Sequence, residues 1–330
     1  MPELPSPMSH ATITAYRAFL SAVSAPAKAA ILSDPSLTHI ERIIPGPGGP
    51  LTISILRPKN EEPLSAAGSE QHQNSPVLLP GIVHFHGGGM TSGSRFLCLD
   101  MIVSYVKLLP AIAVSVEYRL APEHPHPAPV EDCYAALAWT GAHASELGID
   151  ATRLLVAGES AGGGLAAGVA LLARDRGGPG LCAQLLVCPM LDDRSESVSS
   201  RQYADGGTWS REQNLFGWRC LLGEAMAGGD EVSCYAAPAR ANDLSGLPQA
   251  FIDVGSAELF RDEDVAYALK LWECGVQAEL HVWPGGIHSF HSFLPDAALS
   301  KIANATRLDW VRRVLKEKAN IDGSEATSKI

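Results

Sequence analysis

The chain has 330 residues, of which 46% are hydrophobic and 18% are charged. This balance excludes a disordered chain, because it supplies enough apolar surface to offset the conformational entropy lost on folding. The formal net charge of −11 argues against a nucleic acid or an anionic membrane surface as partner, since an acidic surface repels phosphate groups.

The chain has no apolar run of the roughly 20 residues that a membrane-spanning helix needs. Its first ten residues lack the basic and apolar segments of a secretory signal. None of the seven cysteines forms a CxxC pair, and most lie in apolar stretches, so we expect reduced thiols, no metal and a cytoplasmic protein. Its last three residues, Ser328-Lys329-Ile330, differ by one residue from the peroxisomal signal Ser-Lys-Leu, which makes the peroxisome the alternative location.

The N-terminal third begins with an Ala-rich stretch, Ile13 to Leu32, whose apolar spacing predicts helix. Pro26 is expected to break it into two short helices, because proline cannot donate the helical hydrogen bond. Apolar and polar residues alternate at 40–44 and again at 51–56, which predicts a β-hairpin. Residues 59–76 are polar and lack a periodic apolar set, so we expect a mobile surface insertion there.

Short apolar runs then alternate with helical patterns. The predicted strands are Gly81–Phe85, Ala111–Val116, Leu154–Ala157, Gln184–Cys188, Phe251–Val254 and Glu279–Val282. The predicted helices are 95–107, 129–146, 161–174, 261–274 and 296–317. Strands that are apolar throughout indicate a parallel sheet covered by helices on both faces, so the pattern predicts a doubly wound α/β fold. Residues 191–245 interrupt the alternation and are expected to form an inserted helical subdomain.

Residues 158–162 read GESAG and follow the predicted strand Leu154–Ala157. A G-x-S-x-G pattern between a strand and a helix predicts a nucleophile elbow, whose tight turn excludes a Cβ at either flank and exposes the serine hydroxyl above the sheet. The alternative is an ordinary helix start with Ser160 as N-cap. The strand–turn–helix context favours the elbow.

Residues 86–89 read HGGG directly after the predicted strand Gly81–Phe85. Consecutive glycines let backbone N–H groups approach a developing oxyanion, and one such donor contributes about 2.7–4 kcal/mol. A flexible glycine loop with His86 as a core histidine is the alternative. In combination with an elbow, HGGG favours an oxyanion hole.

A serine nucleophile needs a histidine base and a carboxylate that orients this base. In chains with an elbow of this type, the acid follows the serine and the histidine follows the acid. His281 lies within the last predicted strand. His288 lies in the glycine-rich loop after that strand, at the sheet edge where sites of open α/β sheets form. We therefore favour His288 as the base, with His291 on the same loop as the alternative.

The acid is expected in the loop that follows the strand Phe251–Val254. Asp253 lies within that strand, and Asp262 falls in the first turn of the next predicted helix, where the helix dipole stabilises an acidic residue. Glu258 stands alone in the loop and is therefore the preferred acid.

Together these motifs resemble those of the hormone-sensitive-lipase-like branch of the α/β-hydrolases, over about residues 50–315. The motifs that carry the resemblance are HGGG at 86–89, EYRLAPE at 117–123, PAP at 127–129, GESAGG at 158–163, LFRDE at 259–263 and GIHSF at 286–290. The family usually has Asp-Pro where this chain has Glu258-Leu259.

The resemblance implies Ser160 as nucleophile, His288 as base and Glu258 in the register of the acid. The implied oxyanion donors are the backbone N–H groups of Gly88, Gly89 and Ala161. YRLAPE and Asp132 are implied to support the site structurally.

The implied architecture is an α/β-hydrolase fold with a mostly parallel central sheet flanked by helices. Its core would comprise residues 38–190 and 246–319. Residues 1–37 and 191–245 would form a helical cap, and 320–330 a flexible tail.

The resemblance also implies a serine carboxylesterase that hydrolyses short- to medium-chain esters of small molecules without metal or cofactor. Homodimers are common in the family. One alternative is an acyltransferase or amidase that uses the same triad. Another is a non-catalytic small-molecule receptor, like the plant gibberellin receptor, but receptors of that type lack the triad histidine, whereas His288 is present here.

Overall fold

The computed structural model describes residues 9–59, 77–205 and 207–316. Of the insertion predicted at 59–76, Lys59 is described and the other residues lie outside the described ranges. The tail predicted at 320–330 also lies outside them.

An eight-stranded sheet forms the centre of the described chain. The strands are β1 (Leu37–Gly46), β2 (Gly49–Pro58), β3 (Leu79–Phe85), β4 (Ile112–Val116), β5 (Ile149–Glu159), β6 (Ala183–Val187), β7 (Gln249–Gly255) and β8 (Ala278–Trp283). Their spatial order is β1-β2-β4-β3-β5-β6-β7-β8, with β1, β2 and β4 joined antiparallel and all later neighbours parallel. Strands β4 and β6 are buried at every position, as the continuous apolar runs predict. The predicted hairpin and the mostly parallel sheet are both confirmed.

Helices flank this sheet. They are α1 (Ile13–Ser33), α2 (Leu99–Leu108), α3 (Ala128–Ala142), α4 (Ala144–Leu147), α5 (Ala161–Asp175), α6 (Val198–Gln202), α7 (Arg211–Leu222), α8 (Arg261–Glu273), α9 (Phe290–Phe293) and α10 (Ala298–Lys316), with a 3₁₀ helix at Pro238–Arg240. The helix predicted at 129–146 is divided into α3 and α4 at His143.

The prediction that Pro26 breaks the first helix is wrong. Helix α1 runs for 21 residues with Pro26 inside it. Pro26 lies on the exposed side, and buried side chains on both sides of it, including Tyr16 and Ile31, pack against the main core. This packing holds both halves of the helix in place and compensates for the missing backbone hydrogen bond.

The segment predicted as an insertion, 191–245, lies between β6 and β7 and contains α6, α7 and the 3₁₀ helix. The parallel strands end at the same edge of the sheet, so the loops after β3, β5, β7 and β8 meet there. All the motifs with predicted chemistry lie in these loops or directly after a strand.

Candidate active site

Ser160 occupies a sharp turn between β5 and α5. Its backbone has φ 57° and ψ −122°, a strained conformation for a residue with a side chain. A Cβ on Gly158 would lie 2.1 Å from the carbonyl oxygen of Gly162, and a Cβ on Gly162 would lie 2.0 Å from that of Phe85. Both flanking glycines are therefore sterically required, as the elbow pattern predicts. The serine itself is only 6% exposed, less than expected, because it lies at the wall of a covered cavity.

The three predicted triad side chains lie in one hydrogen-bonded line. His288 Nε2 is 3.0 Å from Ser160 Oγ, and His288 Nδ1 is 2.5 Å from Glu258 Oε2. The other carboxylate oxygen of Glu258 accepts the backbone N–H of Gly255 at 3.0 Å. Because a carboxylate only accepts, Nδ1 carries the imidazole proton and Nε2 is free to accept the serine proton.

The two other acids considered from the sequence bind elsewhere. Asp253 accepts from Arg307 and from the Trp283 indole. Asp262 accepts the backbone N–H of Ser199, at the start of α6. Of the three acids weighed, Glu258 alone contacts His288.

Two of the three predicted oxyanion donors, Gly88 and Gly89, have positive φ angles of 117° and 61°. Within the described chain their N–H groups make no hydrogen bond, and both residues line the cavity beside Ser160. The third, Ala161, begins α5, where the N–H groups of the first turn lack helical partners. A Cβ on Gly88 would lie 2.1 Å from the Ser92 carbonyl oxygen, so a larger residue does not fit there.

A buried polar network lies behind this loop. The Tyr118 hydroxyl donates to the backbone carbonyl of His86 at 2.7 Å, and the two rings stack with centroids 4.1 Å apart. The Arg119 guanidinium donates twice to the buried carboxylate of Asp132, and the Arg119 backbone N–H donates a third hydrogen bond. These contacts agree with the supporting role that the resemblance implies for YRLAPE and Asp132.

A cavity of about 110 Å³ opens beside the serine. Its lining comes from α1, the HGGG loop, the elbow, residues 208–209 and the loop after β8, and comprises Tyr16, Leu20, Val23, Gly87, Gly88, Gly89, Leu97, Cys98, Glu159, Ser160, Thr208, Trp209, His288, Ser289, Ser292 and Phe293. The Trp209 ring contacts Gly89, and the centroids of Trp209 and Tyr16 lie 6.3 Å apart. The inserted segment and α1 therefore meet over the elbow.

The sequence motifs predict no role for Glu159, the variable residue of the elbow, or for Arg307. In the structure Glu159 is 1% exposed and lies 3.1 Å from Nε2 of His291, the alternative base. Arg307 contacts the other nitrogen of that ring. The sequence did contain one signal for a role of Glu159, because it places this charged residue between a buried strand and a helix. Charged residues are almost never buried without a partner.

One group of side chains among the described residues has the spacing of metal ligands: Cys188, Glu258 and His288, whose ligand atoms lie within 4.8 Å of one another. Glu258 and His288 already bind each other. Burial, followed by the neighbouring carboxylates, raises the pKa of the Cys188 thiol well above its usual value. A metal at this position would have to displace the thiol proton and break the hydrogen bond between Glu258 and His288.

None of the helices that the described residues form has the length and apolar character needed to cross a membrane.

Comparison with known proteins places the chain among enzymes of one fold. A sequence profile of the alpha/beta hydrolase fold matches residues 82–292, more than half of the chain. Carboxylesterase NlhH of Mycobacterium tuberculosis is 40% identical over 239 residues, which is 72% of this chain and 74% of that protein. Esterase LipI of the same species is 34% identical over 256 residues, 78% of this chain and 76% of that protein.

Among solved structures, a bacterial heroin esterase matches with a TM-score of 0.84 and 36% identity, and covers 96% of this chain and 95% of its own. The profile, the sequence relatives and the structural match agree with the resemblance noted from the motifs. The chain therefore belongs to the α/β-hydrolase family, in its hormone-sensitive-lipase-like carboxylesterase branch.

Proposed function

We propose that the protein is a serine carboxylesterase with Ser160 as nucleophile, His288 as base and Glu258 as acid. The observation that carries the proposal is the unbroken hydrogen-bonded line from Ser160 Oγ through His288 to Glu258, at an elbow beside a cavity. The names of the similar proteins, which are carboxylesterases and esterases, support the same reaction class.

In this mechanism Ser160 Oγ attacks the ester carbonyl while His288 Nε2 takes its proton. The oxyanion of the tetrahedral intermediate accepts from the N–H groups of Gly88, Gly89 and Ala161. His288 then protonates the leaving alcohol and leaves an acyl-enzyme. Water, activated by the same imidazole, hydrolyses that ester and restores the serine. Glu258 stabilises the imidazolium that forms in each half of the reaction.

The cavity supports short to medium acyl chains. Its volume of about 110 Å³ and its lining of aliphatic and aromatic side chains suit a small apolar group attached to the reacting carbonyl. A small-molecule ester is therefore the substrate class.

We further propose that α1 and the segment 191–245 act as a cap that sets substrate size. Arg17 of α1 donates to the backbone oxygens of Thr91 and Ala121 and pairs with Glu123, so α1 is tied both to the loop that contains HGGG and to the segment that follows β4. Trp209 extends from the inserted segment onto Gly89. Both elements line the cavity beside Ser160 and so limit the space for the substrate.

The deciding experiment combines p-nitrophenyl acetate hydrolysis with labelling by a fluorophosphonate. The wild type should hydrolyse the ester and be labelled at Ser160. Ser160→Ala, which removes one oxygen, should do neither and keep the wild-type melting temperature. A chain that binds small molecules but is not labelled would instead be a receptor. Faster product formation with added alcohols would indicate an acyltransferase, and preferred cleavage of matched amides an amidase.

A homodimer and a cytoplasmic location stay predictions from the sequence. Analytical ultracentrifugation of the purified chain tests the first, and fractionation of the source cells tests the second. The residues Ser328–Ile330, which motivate the peroxisomal alternative, lie outside the described residues.

A further inference from the structure

A second buried pair of histidine and carboxylate lies beside the proposed triad. His291 Nε2 is 3.1 Å from Glu159 Oε2, and neither side chain is more than 4% exposed. Glu159 immediately precedes Ser160, and His291 follows His288 by three residues. The pair therefore links the elbow to the loop that carries the base, although the two residues are 132 positions apart.

The partners of His291 determine which nitrogen carries its proton. Arg307 Nη2 lies 3.3 Å from Nδ1, and a guanidinium can only donate, so Nδ1 accepts. Burial by itself would raise the pKa of the Glu159 carboxyl, but its contacts with His291 and Ser289 hold that pKa below its usual value. An ionised Glu159 can only accept, so Nε2 carries the proton. His291 and His288 are thus opposite tautomers.

Further hydrogen bonds connect this pair to β7 and β8, the strands that precede the acid loop and the base loop. Arg307, on α10, binds Asp253 of β7 through two nitrogens, at 2.8 and 2.7 Å. The same carboxylate oxygen accepts the indole N–H of Trp283, the last residue of β8. The acid loop follows β7 and the base loop follows β8. One buried chain of side chains therefore connects the elbow to the strands that precede both loops.

The base loop is tied to other parts of the protein by different contacts. The Thr208 hydroxyl donates to the carbonyl of His288 at 2.6 Å, and the Ala257 N–H donates to the carbonyl of Gly286 at 2.9 Å. These bonds lead to the inserted segment and to the acid loop. Apart from the reacting pair itself, the elbow holds the base loop through Glu159, which binds His291.

We infer that Glu159 and His291, backed by Arg307, are positioning residues that hold the His288 imidazole in line with Ser160. The inference rests on the proposed esterase function. A shift of about 1 Å in such an alignment can cost a hundredfold in rate, whereas substrate binding in the cavity depends on other side chains. Loss of the pair should therefore lower kcat and leave KM nearly unchanged.

The test compares two substitutions of His291 in the full chain. His291→Leu removes both the donor and the acceptor. His291→Gln retains both, because its amide NH₂ can face Glu159 while its oxygen faces Arg307. Leu137→Ala, at a fully buried position on α3, is a control that lowers stability away from the site.

We expect His291→Leu to lower kcat for p-nitrophenyl acetate by about 10- to 100-fold with KM changed by less than about twofold, and to slow fluorophosphonate labelling equally. His291→Gln should recover most of that loss. Leu137→Ala should lower the melting temperature and keep kcat per folded molecule. A His291→Leu variant that behaves like Leu137→Ala would overturn the inference and reduce the pair to a structural one.

Histidine ¹⁵N chemical shifts of the wild type give a readout that is independent of activity and of variant folding. The inference requires the proton on Nε2 of His291 and on Nδ1 of His288. A proton on Nδ1 of His291 would overturn it. A wild-type chain with the expected tautomers but no hydrolysis and no labelling would refute the esterase proposal instead, so the two failures are distinguishable.

Discussion

Replacing Glu258 by glutamine tests the proposed acid most directly, because the structure fixes the orientation of the new amide. The backbone N–H of Gly255 donates to Oε1 of Glu258 at 3.0 Å, so the amide oxygen of the introduced glutamine takes that position. The amide NH₂ then points at His288 Nδ1, where Oε2 of the glutamate now lies at 2.5 Å. Nδ1 has to accept, and the imidazole proton moves to Nε2, which faces Ser160 as a donor.

A histidine in this tautomer cannot take the serine proton. The equivalent change in the Ser-His-Asp template lowers turnover about 10⁴-fold, which corresponds to about 5 kcal/mol of transition-state stabilisation. Glutamine is isosteric with glutamate and keeps the bond to Gly255. We therefore expect Glu258→Gln to lose about 10⁴ in kcat while its melting temperature stays close to that of the wild type.

The assay is p-nitrophenyl acetate turnover per folded molecule, with thermal unfolding measured in parallel. Asp262→Asn is the matched control. Asp262 holds the N–H of Ser199 and lies in the first turn of α8, so its loss should affect stability more than turnover. If Asp262→Asn is folded but nearly inactive and Glu258→Gln turns over normally, the assignment of the acid is refuted.

The same geometry leads to three further predictions. His288→Ala should lower kcat on the order of 10⁶-fold, far more than His291→Ala, and the reverse ranking in one turnover assay would show that the wrong histidine had been chosen. Trp209→Leu should shift preference along a series of p-nitrophenyl esters towards longer acyl chains, by about fourfold in kcat/KM for each extra buried methylene; a lower melting temperature with unchanged relative rates would mean that Trp209 only packs the cap. Asp264 is fully buried, neither carboxylate oxygen has a partner among the described residues, and burial raises its pKa well above the usual value. The folded chain thus keeps a proton that the unfolded chain loses above about pH 4, which lowers the free energy of unfolding as pH rises. Asp264→Asn should therefore stabilise the protein by an amount that grows as the pH rises above about 4, and a gain in melting temperature that does not vary with pH would contradict this reasoning.

The sequence predicts those features that short-range sterics and patterning determine. The glycines of GESAG and HGGG are needed because a Cβ would meet backbone atoms about 2 Å away, at Gly158 and Gly88 for example. Alternating apolar runs and helical patterns predict the mostly parallel sheet, because a strand covered on both faces has to be apolar throughout. Position after a strand was enough to select Glu258 and His288 as candidates.

Local rules fail where packing between distant segments decides the outcome. Pro26 lacks the backbone N–H of a helical hydrogen bond, so local rules predict that the helix ends there. Helix α1 nevertheless continues past Pro26, because the core holds the residues on either side of it. The sequence predicts a Ser160 hydroxyl exposed above the sheet. In the structure Ser160 is only 6% exposed, because α1 and Trp209 come together over the elbow.

The partners of buried charges were also beyond the reach of the sequence. Nothing in the motifs indicates that Glu159 meets a histidine 132 residues away, or that Asp253 meets Arg307 of α10. A buried carboxylate needs a partner, but that requirement fixes only the kind of group that must lie nearby. Which histidine or arginine supplies it depends on how the strands and helices bring distant parts of the chain together, and the tertiary structure alone decides that.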